Sequence, residues 1–336
     1  MIAQPADASA SFGRGAHLRK PVARTDAFEA SQGWRAWRGV AGVCAALLIA
    51  LAGVRFPAAY GQQRLVRLTH DGHLKQRPSW SPDGRWLAFT RHEGHAIAVY
   101  LRAADGSEEK RLTRRTDPEM DAVWSPDGRR LAFTFDKTAP NQGDMDVYTV
   151  GPDGEELQPV LVSAGKLSHE EWPSWSPDGQ WLALTSTRDG NQELYVVRPD
   201  GRDLRRLTSD PALDMHPAWS PDGQRIVFAT SRWGDLELAS IRSDGSDLVR
   251  LTTSAGLDDY PAWSPDGRQL AFVSNRTGNF EVFVCDPQGQ DVRNVTQHPA
   301  IDTFPAWTPS GGLTFVSNRD GGFDLYLLPA VPGAGR

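Results

Sequence analysis

In the stretch HPAWSPDGQRIVFATSRWGD, residues 216–235, His216, Ser220, Asp222, Arg232 and Asp235 stand close together. A hydroxyl, an imidazole and a carboxylate are the parts of a nucleophilic centre. In such a centre the imidazole takes the hydroxyl proton and the carboxylate orients the imidazole. That reading meets an obstacle, because most of the stretch recurs. The Trp of "WSPDG", or of its relic, stands at Trp80, Trp124, Trp175, Trp219, Trp263 and Trp307, at spacings of 44, 51, 44, 44 and 44. Active centres are not usually built six times, whereas fold-forming units are, and a repeat of this length fits a four-stranded propeller blade.

The elements that must position these residues follow from one repeat. In the fifth, "PAWS" (261–264) reads as a short first strand, "RQLAFVS" (268–274) as the second, "EVFVCD" (281–286) as the third and "DVRNVT" (291–296) as the fourth. The apolar runs are rich in Val, Leu and Phe and are bounded by Gly, Pro, Asp and Asn. "SPDG" between the first two strands has Ser to bond the backbone, Pro to preset φ, then Asp and Gly, which is a type I turn. Its Ser is therefore a turn residue and not a nucleophile. The repeated Trp is expected to wedge between blades as core. After residue 60 no segment carries an amphipathic helical pattern of useful length.

The register of the two ends closes the ring. A Thr follows the Trp by 33 residues in four repeats, but after Trp307 that position lies beyond Arg336. At the other end "QRLVRLT" (63–69) matches a fourth strand with no repeat before it, and Thr69 precedes Trp80 by the same 11 residues that separate Thr113 from Trp124. The sequence thus predicts an all-β, six-bladed β-propeller closed by the N-terminal strand completing the last blade. Closure removes open sheet edges.

Four segments are expected: a polar tail over 1–33, a signal peptide or single membrane anchor over 34–61, the propeller over 62–330, and a tail over 331–336. The run "GVAGVCAALLIALAGV" (39–54) is uncharged, and Arg35 and Arg38 precede it. It is long for a signal core and short for a span. Ala59 and Gly61 offer a small-x-small cleavage site before Gln62. Either reading places the propeller outside the cytoplasm, periplasmic or at the cell surface, with the basic flank inside. Of the two cysteines only Cys285 falls in the propeller, so no internal disulfide holds it. The formal net charge is −6, and the acid excess lies after residue 61. That balance speaks against a nucleic-acid partner. The chain is expected to be a monomer that meets a membrane only through its N-terminal segment.

Loops joining second to third strands, and one blade to the next, vary among the repeats. Variable loops on a rigid scaffold are where binding is usually placed. The residue five before each Trp reads Lys75, Glu119, Glu170, Asp214, Asp258 and Asp302. The five acids are the expected binding residues, a channel-mouth collar for a cationic ligand, a metal or a basic docking segment of a protein partner. Arg188, Arg232, Arg276 and Arg319 are their expected structural partners, and Lys137 aligns with these. Seven of the eight histidines fall in the same loops, and "HDGH" (70–73) and "HEGH" (92–95) come from adjacent blades. His70, His73, His92 and His95 are accordingly candidate ligands for a divalent metal. Blade two is lengthened, partly through "KTAPNQGD" (137–144), a candidate contact arm.

The five intact "WSPDG" copies, with "SNRTGNFEVFV" and "SNRDGGFDLYL", resemble the TolB-like (WD-repeat-like) β-propeller repeat family. The resemblance covers residues 63–330 and departs at "TPSG" (308–311), at "TRHEGH" (90–95) and at Lys75. It implies an extracytoplasmic propeller for protein or ligand binding. The family's namesake carries an α/β domain before its propeller, for which residues 1–62 leave no room, so its envelope partner is not carried over. No G-x-S-x-G nucleophile elbow is present. The expectation is a non-catalytic binding scaffold that needs no cofactor and docks a protein or small ligand at its acidic, His-rich loop face. The alternative is a hydrolase- or lactonase-type propeller enzyme with a metal at the channel mouth.

Overall fold

The computed structural model describes residues 65–137, 144–162 and 168–331. The expected tail and leader over 1–61, most of the 137–144 loop and the final tail after Val331 lie outside the described residues. Within them the chain is all-β, with six four-stranded antiparallel sheets arranged as the blades of a propeller. Blade one runs Lys75–Trp80, Trp86–Glu93, Ala96–Ala103 and Glu109–Arg111. In blade six, Asp302–Trp307, Leu313–Ser317 and Asp324–Leu328 are completed by Val66–Arg67 from the start of the chain. The pairing puts Val66 opposite Leu327 and Arg67 opposite Tyr326. No sheet is left waiting for its outer strand.

The repeated turn is built as its residues dictate. In the fifth blade the Gly267 amide donates to the Ser264 carbonyl at 2.9 Å. Ser264 Oγ donates to Asp266 Oδ1 at 2.7 Å and accepts from the Gln269 amide at 2.9 Å. Gly267 has φ of +69°, where a Cβ is disfavoured. The divergent "TPSG" copy keeps the device, with Thr308 Oγ1 accepting from Gly312 N at 2.8 Å.

Second and third strands are buried on both faces, and their side chains interlock from blade to blade. Phe89, Phe133, Phe228, Phe272 and Phe315 occupy equivalent places and are at most 1% exposed. Burial of such a ring contributes about 1.5–3 kcal/mol. The repeated Trp packs at the junctions. Trp175, Trp263 and Trp307 donate Nε1 to carbonyls of the preceding blade, at 3.2 Å to Val123, 3.3 Å to Ala218 and 3.0 Å to Ala262.

Two boundaries differ from the sequence reading. The first strand of blade five begins at Asp258, three residues before "PAWS", and the fourth is only Arg293–Asn294. A bulge between Asp259 and Ala262 explains the first difference, because it lets the strand continue past Pro261. The fourth strands are short because they are outer edges with no partner beyond them.

Candidate functional site

The five repeated acids lie at the head of the first strands, and none of their side chains reaches solvent. Arg232 grips Asp214 with two nitrogens, at 2.7 and 2.6 Å. Arg276 meets Asp258 at 2.8 and 2.7 Å, Arg319 meets Asp302 at 3.0 and 2.9 Å, and Arg188 meets Glu170 at 2.9 Å. Glu119 has a bond from Thr113 and no arginine, and its Oε1 is buried without a partner. Burial pushes the carboxyls of Glu119, Asp214 and Asp302 up from the usual range, against the pull of their partners. An open acidic collar is therefore corrected to a buried one. Carboxylates taken out of water must be paired, and here the partner arginines fold over them. Of Lys137, the aligned basic residue of blade two, the side chain is not described.

Lys75, the exception in the ring, is also fully buried. It donates to Asp71 and, at 3.1 Å, to Asp324 on the third strand of blade six. A cation replaces an acid where the ring closes, and it pairs with Asp324 of the last blade, whose own ring acid Asp302 is held by Arg319.

The four candidate metal ligands do not converge. His70, His73 and His95 are exposed, and His92 Nε2 is bonded to Gln76 Oε1 at 2.9 Å. Among the described residues no group of three or more His, Cys, Asp or Glu side chains could hold a metal ion. His216 is not a loop histidine at all. It lies within the first strand Asp214–Trp219 and is 4% exposed.

His216 belongs to a second ring that the sequence reading missed. Three residues before each Trp, at the bulge, stand Arg77, Asp121, Trp172, His216, Tyr260 and Phe304, with φ between 44° and 60°. The left-handed backbone is costly for such side chains and is repeated in every blade. Trp172, His216, Tyr260 and Phe304 pack as successive neighbours, with ring centres 4.0, 4.1 and 4.6 Å apart. The Arg77 guanidinium faces Asp121 at 3.9 Å and makes no hydrogen bond among the described residues. Burial raises the Asp121 carboxyl to about 6, against the nearby Arg77. One signal could have found this ring: between a repeated acid and a repeated Pro-x-Trp, it is the position whose residue changes in every copy.

Asp259 fixes His216. Its Oδ1 lies 2.6 Å from His216 Nδ1 and accepts from the Tyr260 amide at 2.7 Å. Nδ1 is engaged by the carboxylate, and Nε2 is buried without a partner; in the tautomer with its proton on Nδ1 the ring offers Nε2 as an acceptor.

Arg77, His216, Tyr260 and Phe304 line the end of a cavity of about 620 Å³ in the channel. Its walls are Trp and Pro from the repeats, including Pro82, Pro126, Pro221, Pro265 and Pro309 of the turns. It therefore opens toward the turns, the face opposite the variable loops at which binding was expected. Arg77 is the one fully charged side chain in that lining. The size and the mixture of apolar wall with few polar groups suit a small ligand or the protruding group of a larger one.

A family model described as TolB beta propeller domain matches residues 161–260 and 254–335, together just over half of the chain. An uncharacterised protein of Agrobacterium fabrum is 34% identical over 124 residues, 35% of this chain and 42% of its own. A protein TolB homolog of Chlorobium luteolum is 32% identical over 137 residues, 40% of this chain and 29% of its own. The chain thus spans less than half the length of these curated relatives. A solved structure assigned as TolB from Agrobacterium tumefaciens has a TM-score of 0.61 and 25% identity, covering 77% of this chain and 91% of its own. A gluconolactonase of Xanthomonas campestris has the same TM-score at 20% identity, covering 79% and 88%, a likeness that shows the fold alone.

Proposed function

The chain belongs to the TolB β-propeller domain family, and from that premise we propose that it is a non-catalytic binding propeller whose central channel receives its ligand, or a protruding group of a protein partner, from the turn face. The carrying observation is the 620 Å³ cavity, walled by repeated Trp and Pro and ended by side chains that differ in every blade. A scaffold needs repeated residues, and recognition needs unrepeated ones. The buried acid–arginine pairs hold the opposite, variable loops in place, so that face is a second platform for a partner. The uncharged run over 39–54, after two arginines, supports an exported or tethered propeller acting outside the cytoplasm. Among the described residues no helix is long and apolar enough to cross a membrane.

The test compares the full-length chain with Ala262→Phe, which fills the cavity, and with Ala218→Phe as a second such change. Each is used as bait once circular dichroism and melting match the parent. A molecule or protein retained by the parent and lost from both variants supports channel binding. Equal recovery from all three overturns it.

A second reading has one observation in its favour. His216 oriented by Asp259, with Nε2 unpartnered beside a cavity, is the arrangement of a general base and its orienting group. This supports a hydrolase of lactone type. Lactone hydrolysis by the parent that disappears in His216→Asn would favour it over the binding reading, and no turnover would remove it.

A further inference from the structure

The end of the channel cavity carries two polar deficits of opposite kind. Arg77 presents a guanidinium whose one ionic contact, Nε to Asp121 at 3.9 Å, is too long for a hydrogen bond. No carboxylate lines the cavity itself; Asp121 and Asp259 stand behind its wall, beside Arg77 and His216, so Arg77 is the charged group a ligand would meet there. Its planar fork matches a carboxylate with two parallel bonds, which a lysine could not reproduce. The second deficit is His216 Nε2, buried without a partner, which is an acceptor in the tautomer that donates Nδ1–H to Asp259. Buried polar atoms in folded proteins are nearly always satisfied, and an unpaired one at a cavity needs an explanation. Between these groups stand the partly exposed rings of Tyr260 and Phe304. Their faces suit an apolar or aromatic skeleton.

We propose that this cavity end is a subsite for a small hydroxylated carboxylic acid with an apolar body. Arg77 receives its carboxylate, His216 Nε2 accepts a hydrogen bond from its hydroxyl, and Tyr260 and Phe304 pack its skeleton. The assignment rests on the channel reading above and adds the ligand's chemistry. It reverses the charge expected from the sequence, because the five acids that predicted a cationic ligand are buried, four of them against arginines, while the charged side chain lining the cavity is Arg77.

Calorimetry on the full-length chain tests it with four probes of similar size: 4-hydroxyphenylacetate, its neutral amide, tyramine, and phenylacetate, which lacks the hydroxyl. The acid is expected to bind at least about tenfold more tightly than the amide or tyramine, the scale of a charge-assisted hydrogen bond. It should also exceed phenylacetate several-fold. Arg77→Gln should erase the preference for acid over amide, and Arg77→Lys should retain part of it, which separates lost charge from lost fold. Amide or tyramine binding as tightly as the acid overturns the proposal. If Ala262→Phe abolishes that binding, the channel reading stands while the ligand class falls. If no probe binds, the ligand class also falls, and the channel reading is then decided by the bait comparison alone.

Discussion

Thr69 Oγ1 lies 2.7 Å from Asp324 Oδ1, joining two residues 255 positions apart at the seam where the ring closes. The same carboxylate receives Arg67 at 2.7 Å and the buried Lys75 at 3.1 Å. Thr69 Oγ1 in turn accepts from the Leu325 amide at 3.0 Å. Asp324→Ala would remove one of the two carboxylates that compensate the buried Lys75, the other being Asp71, together with the bonds from Arg67 and Thr69, and would release the closing strand. We expect a loss of about 3–5 kcal/mol in urea unfolding, the scale of breaking a buried pair. The variant should also become sensitive to proteolysis near residue 66. Unchanged stability and protease resistance would show that the seam is held by apolar packing alone.

The acid ring should respond unevenly. Arg232→Ala leaves Asp214 buried and unpaired and is expected to cost about 3 kcal/mol or more. Glu119→Gln should change stability by less than about 1 kcal/mol, because burial already favours the protonated carboxyl and Oε1 has nothing to lose. Chemical denaturation of the two variants checks the contrast. Equal costs would mean that Glu119 has an ionic role these contacts do not account for.

Asp121 gives the fold a pH dependence of known sign. Its carboxyl is raised to about 6 by burial, with Arg77 opposing and Glu171 adding to the shift. A group whose folded pKa is raised favours the folded state when protonated. That contribution is complete below the unfolded value near 4 and is lost as pH rises through about 6. Asp121→Asn tolerates the left-handed backbone and should remove this slope. Relative to the parent, the variant should gain about 2 kcal/mol between pH 4 and pH 7. Parallel stability curves for the two would refute the assignment.

The six repeated tryptophans are not equivalent. Trp307 Nε1 donates to Ala262 O at 3.0 Å, whereas Trp219 Nε1 is buried without a partner. The change to Phe removes a made hydrogen bond at Trp307 and an unmet one at Trp219. Trp307→Phe should cost about 1–2 kcal/mol more than Trp219→Phe. Thermal or urea unfolding of the pair reads that difference directly.

The repeat alone determined the fold, because spacing, turn chemistry and strand patterning are local properties written six times. "SPDG" specifies its turn through bonds within a few residues, and the orphan "QRLVRLT" reveals closure through its register with Trp80. The partners of Asp214, Asp258 and Asp302 were legible for the same reason, since each arginine follows its acid by 17 or 18 residues, at or just past the end of the neighbouring strand. The channel was not legible. Whether a carboxylate faces solvent depends on what folds over it, and sequence offers no measure of that. His216 read as a loop residue because Pro217 marked a strand boundary, yet the bulge carries the strand past it and brings His216 against Asp259, 43 residues away. Only the assembled ring could bring Arg77, His216 and Tyr260 from three blades to one cavity and leave Arg77 as its charge.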